Sequence, residues 1–117
     1  MSYRHRNNLK PHRKRSGFTQ AELAFLLGLK DHSAISKFEH GEREPDFRMA
    51  VAYHAVFDRG LPELFLQVHR EVRAEIGKRA ERLSEVIGGG PKSAKVAYKL
   101  QKLARLKETD GEHVPTV

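Results

Sequence analysis

A chain of 117 residues has room for one small domain with an appended element, not for a second full core. Twenty-two Lys and Arg against fifteen Asp and Glu give a formal charge of +7, which favours polyanionic partners and says nothing about fold. The lack of cysteine excludes disulfides, thiol chemistry and cysteine-ligated zinc. No apolar run approaches the ~20 residues of a membrane span, and no apolar stretch follows the basic N-terminus as a secretory signal requires. The expected setting is cytoplasmic, with no membrane contact.

Residues 1–15 hold Arg4, Arg6, Lys10, Arg13, Lys14 and Arg15 and no acid. Residues 1–7 read as a flexible basic arm, either following a DNA groove or simply solvated. A first helix is expected from Asn8 or Pro11 to Ser16, anchored by Leu9 and stopped by Gly17. Thr19 and Glu22 have the spacing of a capping box, and Phe18 and Leu23 that of a hydrophobic staple, so a second helix spans residues 20–27. Gly28 ends it by offering a left-handed conformation at little cost. A third helix, residues 32–40, buries Ile35 and Phe38 and stops at Gly41, with Asp31 as its expected cap. Two short helices joined by a Gly-containing turn form a helix-turn-helix pattern.

Pro45-Asp46 introduces a fourth helix over residues 47–57, with Phe47, Ala50, Val51, His54 and Phe57 in helical register. Gly60 breaks it, and Leu61-Pro62 starts the next helix with Pro at a tolerated first-turn position. From Leu61 through Phe65, Val68, Val72, Ile76, Ala80, Leu83, Val86 and Ile87, steps of three or four predict one stripe on a long helix of about 25 residues. Gly77 weakens that helix by about 1 kcal/mol relative to Ala. Gly88-Gly89-Gly90-Pro91 closes it, and residues 92–107 form a last amphipathic segment with Val96, Leu100, Leu103 and Ala104 on one side. Its other side carries Lys92, Lys95, Lys99, Lys102, Arg105 and Lys107. The tail, residues 108–117, reads as disordered. The expectation is an all-α fold.

The run Thr19-Gln20, Leu23-Ala24, Leu26-Leu27-Gly28, Ile35-Ser36, Glu39, Gly41 and Pro45 resembles the helix-turn-helix of the Cro and lambda-repressor type, the XRE family. The resemblance covers residues 8–66 and implies a five-helix lambda-repressor-like domain; beyond it the match fades, and the helical pattern of residues 67–107 reads as a C-terminal extension. One departure is visible: Gly28 to Ile35 is one residue longer than the usual family spacing, the extra residue falling among Leu29, Lys30, Asp31 and His32. The resemblance implies double-stranded DNA as partner, with the third helix in the major groove. Mapped from Ile35 and Glu39, its outward residues His32, Ser33, Ser36 and Lys37 become the candidate base contacts. Gln20, at the first turn of the second helix, Arg43, after the third, and Arg15 are the candidate phosphate contacts.

Two features leave alternatives open. The stripe from Leu61 to Ile87 serves either a homodimer seam or packing back onto the domain. The cations of residues 92–107 are either a second contact with nucleic acid or membrane surface, or a solvated face. An antitoxin-like protein gripping a protein partner through residues 61–107 is the rival function, and a charge-driven, non-specific nucleic-acid binder the third. No enzyme is expected. Gly88-Gly89-Gly90-Pro91-Lys92-Ser93 only loosely imitates a phosphate loop, since Pro91 precedes the lysine and no strand precedes the run. The seven histidines lack metal-pair spacing, His54 reading as a core or boundary residue, and Glu42 and Glu44 flank a surface turn. No cofactor and no metal are expected.

Overall fold

The structure, a computed structural model, describes residues 6–108. All regular structure among them is helical: α1 Leu9–Ser16, α2 Gln20–Leu26, α3 Ser33–Glu39, α4 Phe47–Phe57, α5 Leu61–Leu64, α6 Leu66–Gly88 and α7 Ala94–Leu106. Two compact units divide within α6, the first ending at His69 and the second starting at Arg70. The arm residues 1–5 and the tail residues 109–117 lie outside the described residues.

In the first unit, Leu9, Leu23, Ala24, Leu27, Ile35, Phe38, Tyr53 and Leu64 form one buried cluster, so each of α1 to α5 supplies at least one core residue. Tyr53 is its hub, edge-on to Phe38 and Phe65 and tilted against Phe57. Burial pushes the Tyr53 phenol well above its ordinary pKa. The chain before α1 is pinned to both α3 and α5. Asn7 donates to the Phe38 carbonyl at 2.8 Å, and Asn8 donates to the Glu63 carbonyl at 2.7 Å. The Arg6 backbone N–H also donates to Gln67 Oε1.

Local signals set the helix ends. The capping box at α2 is complete: Glu22 N–H donates to Thr19 Oγ1 at 3.1 Å, and Thr19 N–H donates to Glu22 Oε1 at 2.8 Å. Asp46 caps α4 by accepting from Met49 N–H at 2.9 Å, and Ser93 caps α7 by accepting from Val96 N–H at 3.1 Å.

Two expectations are corrected here. The inward face of α4 is Met49, Ala52, Tyr53, Val56 and Phe57, while Phe47, Val51 and His54 are exposed. This helix is apolar on nearly every side, so two registers have helical spacing, and the one burying the Tyr53 ring prevails. His54 is accordingly no core residue; its Nδ1 donates to the Arg59 carbonyl at 2.6 Å. Nor is the stretch from Leu61 one helix. It breaks at Phe65, whose backbone leaves helical geometry (φ −122°, ψ 54°). Leu64 is fully buried and Phe65 reaches Tyr53, so docking these neighbours in the first core outweighs helix continuity.

In the second unit, the Arg73 guanidinium donates to the Glu108 carbonyl at 3.1 Å, tying α6 to the chain just after α7. Gly77, Ala80 and Leu103 are buried. Leu83, Ile87 and Leu103 border one apolar groove with Tyr98, Lys99 and Lys102. No helix among the described residues is long and apolar enough to cross a membrane.

Candidate nucleic-acid interface

Helix α3 packs against α1 and α2. Seven residues are too few for a helix to hold its shape in water unaided, so its ends and its inner face must be fixed by the rest of the chain. The turn before it shows how. Gly28 adopts φ +77°, its N–H donates to the Phe25 carbonyl at 3.1 Å, and Leu29 N–H donates to the Ala24 carbonyl at 2.8 Å. These paired bonds are a Schellman motif, which terminates α2 and turns Leu29 towards the core. Asp31 then opens α3, accepting from both the backbone N–H and the hydroxyl of Ser33. Those bonds hold its carboxyl below the ordinary Asp pKa. The turn thus runs from the Schellman stop of α2 to the Asp31–Ser33 bonds that open α3. Asp31 does the capping expected of it, although the residue next to the helix is His32, whose side chain caps nothing.

The C-terminal end repeats the device. Gly41 sits at φ +71°, with Gly41 N–H donating to the Phe38 carbonyl and Glu42 N–H donating to the Lys37 carbonyl. Beneath the helix, Arg13 of α1 grips Glu39 of α3 with two donors, Nε to Oε2 at 2.6 Å and a terminal nitrogen to Oε1 at 3.1 Å. Its other terminal nitrogen donates to the Phe18 carbonyl at 3.0 Å. The two side chains are only 10% and 1% exposed. Hydrogen bonding to Glu39 raises the Arg13 pKa, the largest contribution to its shift. Neither residue was singled out by the sequence as a functional pair, because they stand 26 positions apart and no periodicity joins them.

The candidate contacts fall as follows. His32, Ser33 and Lys37 are exposed; Ser36 is half-buried, its hydroxyl 3.3 Å from His40 Nδ1, which itself donates to the Ser36 carbonyl at 2.7 Å. Gln20 is half-buried, and its amide donates to Glu39 Oε1 at 3.1 Å, joining the first turn of α2 to the buried ion pair. Arg43 is exposed with its guanidinium 5.6 Å from the Phe38 ring centroid, a cation–π contact. Arg15 is exposed at the end of α1. No group of His, Asp or Glu suited to a metal ion occurs among the described residues.

A capped α2, a glycine-turned connection and a short α3 whose outer face is left to solvent define a helix-turn-helix DNA-binding domain. Residues 9–64 match the family model described as Helix-turn-helix, the family of XRE, or lambda-repressor-type, helix-turn-helix DNA-binding proteins. Comparisons with curated proteins and with solved structures gave no match.

Proposed function

We propose that the chain is a sequence-specific transcription regulator of the XRE type that binds duplex DNA as a homodimer, with residues 8–66 reading the DNA and residues 67–107 pairing two copies. The outer face of α3 carries this reading. Ile35 and Phe38 are buried and both helix ends are closed by the chain's own groups, so the outward side chains are His32, Ser33 and Lys37, with Ser36 half-buried beside them and the Ser33 hydroxyl also bonded to Asp31. In the major groove Lys37 meets the O6 and N7 acceptors of guanine, while the hydroxyls and the imidazole pair with several base edges. Gln20, Arg43 and Arg15 meet phosphates and fix the register of the domain on the duplex.

Pairing is supported by α6. Val72, Ile76, Leu83 and Val86 are exposed and fall on one side of the helix, a stripe about 21 Å long at 1.5 Å per residue. Such a stripe on a second copy is its natural cover, and a two-fold pair places recognition helices about 34 Å apart, in successive major grooves. The test is selection from a random duplex pool with the wild type and Lys37→Ala side by side. A palindromic motif that loses definition in the variant is expected. A motif unchanged by the substitution would remove Lys37 from the bases, and failure to enrich any motif would refute sequence-specific reading.

A further inference from the structure

The charge of this protein is not where a DNA-binding domain alone would put it. Residues 6–69 hold ten Lys and Arg against eight Asp and Glu, whereas residues 70–108 hold eleven against five. The excess concentrates on α7 and its approach. Lys92, Lys95, Lys99, Lys102, Arg105 and Lys107 are all exposed, and no acid stands between Glu85 and Glu108. Within α7, Lys95, Lys99, Lys102 and Arg105 share an arc of helix surface with Tyr98, which is 73% exposed. Among the described residues no carboxylate pairs with these four cations.

We infer that this face of α7 is a second DNA-binding surface, contacting the phosphates of duplex DNA independently of base sequence. The inference rests on the reading of the chain as a DNA-binding protein but not on any base preference. Lys95 to Arg105 spans about 15 Å of helix, and one DNA strand presents about four phosphates over that length, at 3.4 Å of axis each. Four cations therefore face about four phosphates, and the Tyr98 hydroxyl adds a neutral donor. A lipid surface fits less well. The apolar side of α7 is occupied, with Leu103 buried and Val96 and Leu100 half-buried, and the free side offers one aromatic ring rather than an inserting face.

The test compares the full chain with a variant carrying Lys95→Gln, Lys99→Gln, Lys102→Gln and Arg105→Gln, all surface changes that keep helix-forming residues. Affinity for a random-sequence duplex is measured across about 50 to 200 mM salt, where each neutralised phosphate contributes about −0.9 to the log–log slope. The variant is expected to show a slope shallower by about 3 to 4, so that the wild type loses about a hundredfold more affinity than the variant over that range. Its preference for a selected motif over random duplex is expected to match the wild type. An unchanged slope overturns the proposal, as does a wild type that binds no duplex. Binding to phosphatidylserine vesicles that disappears in the variant, with the duplex slope unaltered, overturns it in favour of a membrane surface. If no motif can be selected but the slope still falls in the variant, sequence-specific regulation fails and the α7 surface stands.

Discussion

Replacing Glu39 by Gln removes one charge and turns one of its two acceptor oxygens into a donor, while the side chain keeps its size. Arg13 is left with its guanidinium in a site where only 10% of its side chain meets solvent. Breaking a buried ion pair by removing one partner costs about 3–5 kcal/mol, because the remaining charge is neither paired nor hydrated. At about 0.05–0.15 kcal/mol per residue, a helix-turn-helix domain of this size has only about 3–8 kcal/mol of stability in total. Glu39→Gln is therefore expected to bring the first unit close to its unfolding midpoint at about 25 °C, read as lost helical circular dichroism in urea titrations. The double variant Arg13→Met with Glu39→Met supplies the control, since replacing a buried pair by apolar groups of similar volume is often neutral or stabilising. It is expected to regain most of the loss, and a cycle closed with the singles Arg13→Met and Glu39→Met is expected to give a coupling of at least about 2 kcal/mol. A loss below about 1 kcal/mol for Glu39→Gln, or a double variant no better than either single one, would refute the view that this pair fastens α3 to α1.

Other changes test the connections around it. Gly28→Ala meets no atom within 4 Å of the new Cβ, so its cost is backbone alone, about 1–2 kcal/mol at φ +77°. Gly28→Asn is expected to cost less, because Asn tolerates the left-handed region, and equal losses would contradict this account. Asp46→Ala is expected to lower stability by about 1 kcal/mol through the lost cap on Met49 N–H, with Asp46→Ser largely restoring it in the same urea titration. His12 is held below the ordinary imidazole pKa by burial, aided by Arg15 and Arg59 and opposed by Glu63. The unfolded chain therefore takes up its proton first, and this contribution is complete above about pH 6.5 and declines as pH falls through and below that value. Between about pH 7.5 and 5.5 the wild type is expected to lose more stability than His12→Phe, and parallel losses would exclude His12 as the group responsible.

The helices legible in the sequence are those whose limits are written locally. Thr19 with Glu22, Asp46, Gly17, Gly41 and the run from Gly88 to Pro91 each act on backbone groups within a few residues, so the starts of α2 and α4 and the ends of α1, α3 and α6 follow from short stretches of chain. The buried face of α4 was not legible. Phe47, Val51 and Tyr53 are all apolar or aromatic, and only the space left between Phe38, Phe57 and Phe65 selects Tyr53. The break at Phe65 was hidden for the same reason, the helical spacing of apolar residues running straight through a position fixed by tertiary packing. At the candidate site the outward face of α3 could be read from Ile35 and Phe38. The fastening of Glu39 by Arg13 and Gln20 could not, because hydrogen bonds across 26 and 19 positions leave no trace in spacing.

The two glycine-closed ends of α3 have a bearing on how a duplex would meet this surface. A seven-residue segment of this kind has no helicity of its own, so its order is a loan from the core beneath it. While that core is intact, the outer face of α3 arrives already shaped, and under the proposed reading contact with DNA need not bear the entropy of fixing its backbone. Weakening the domain far from any nucleotide, at Leu9 or Tyr53, would return that entropy to the binding step. Under the proposed reading, affinity would then drop with the ranking of selected sequences preserved, making binding strength a gauge of how well the domain is folded.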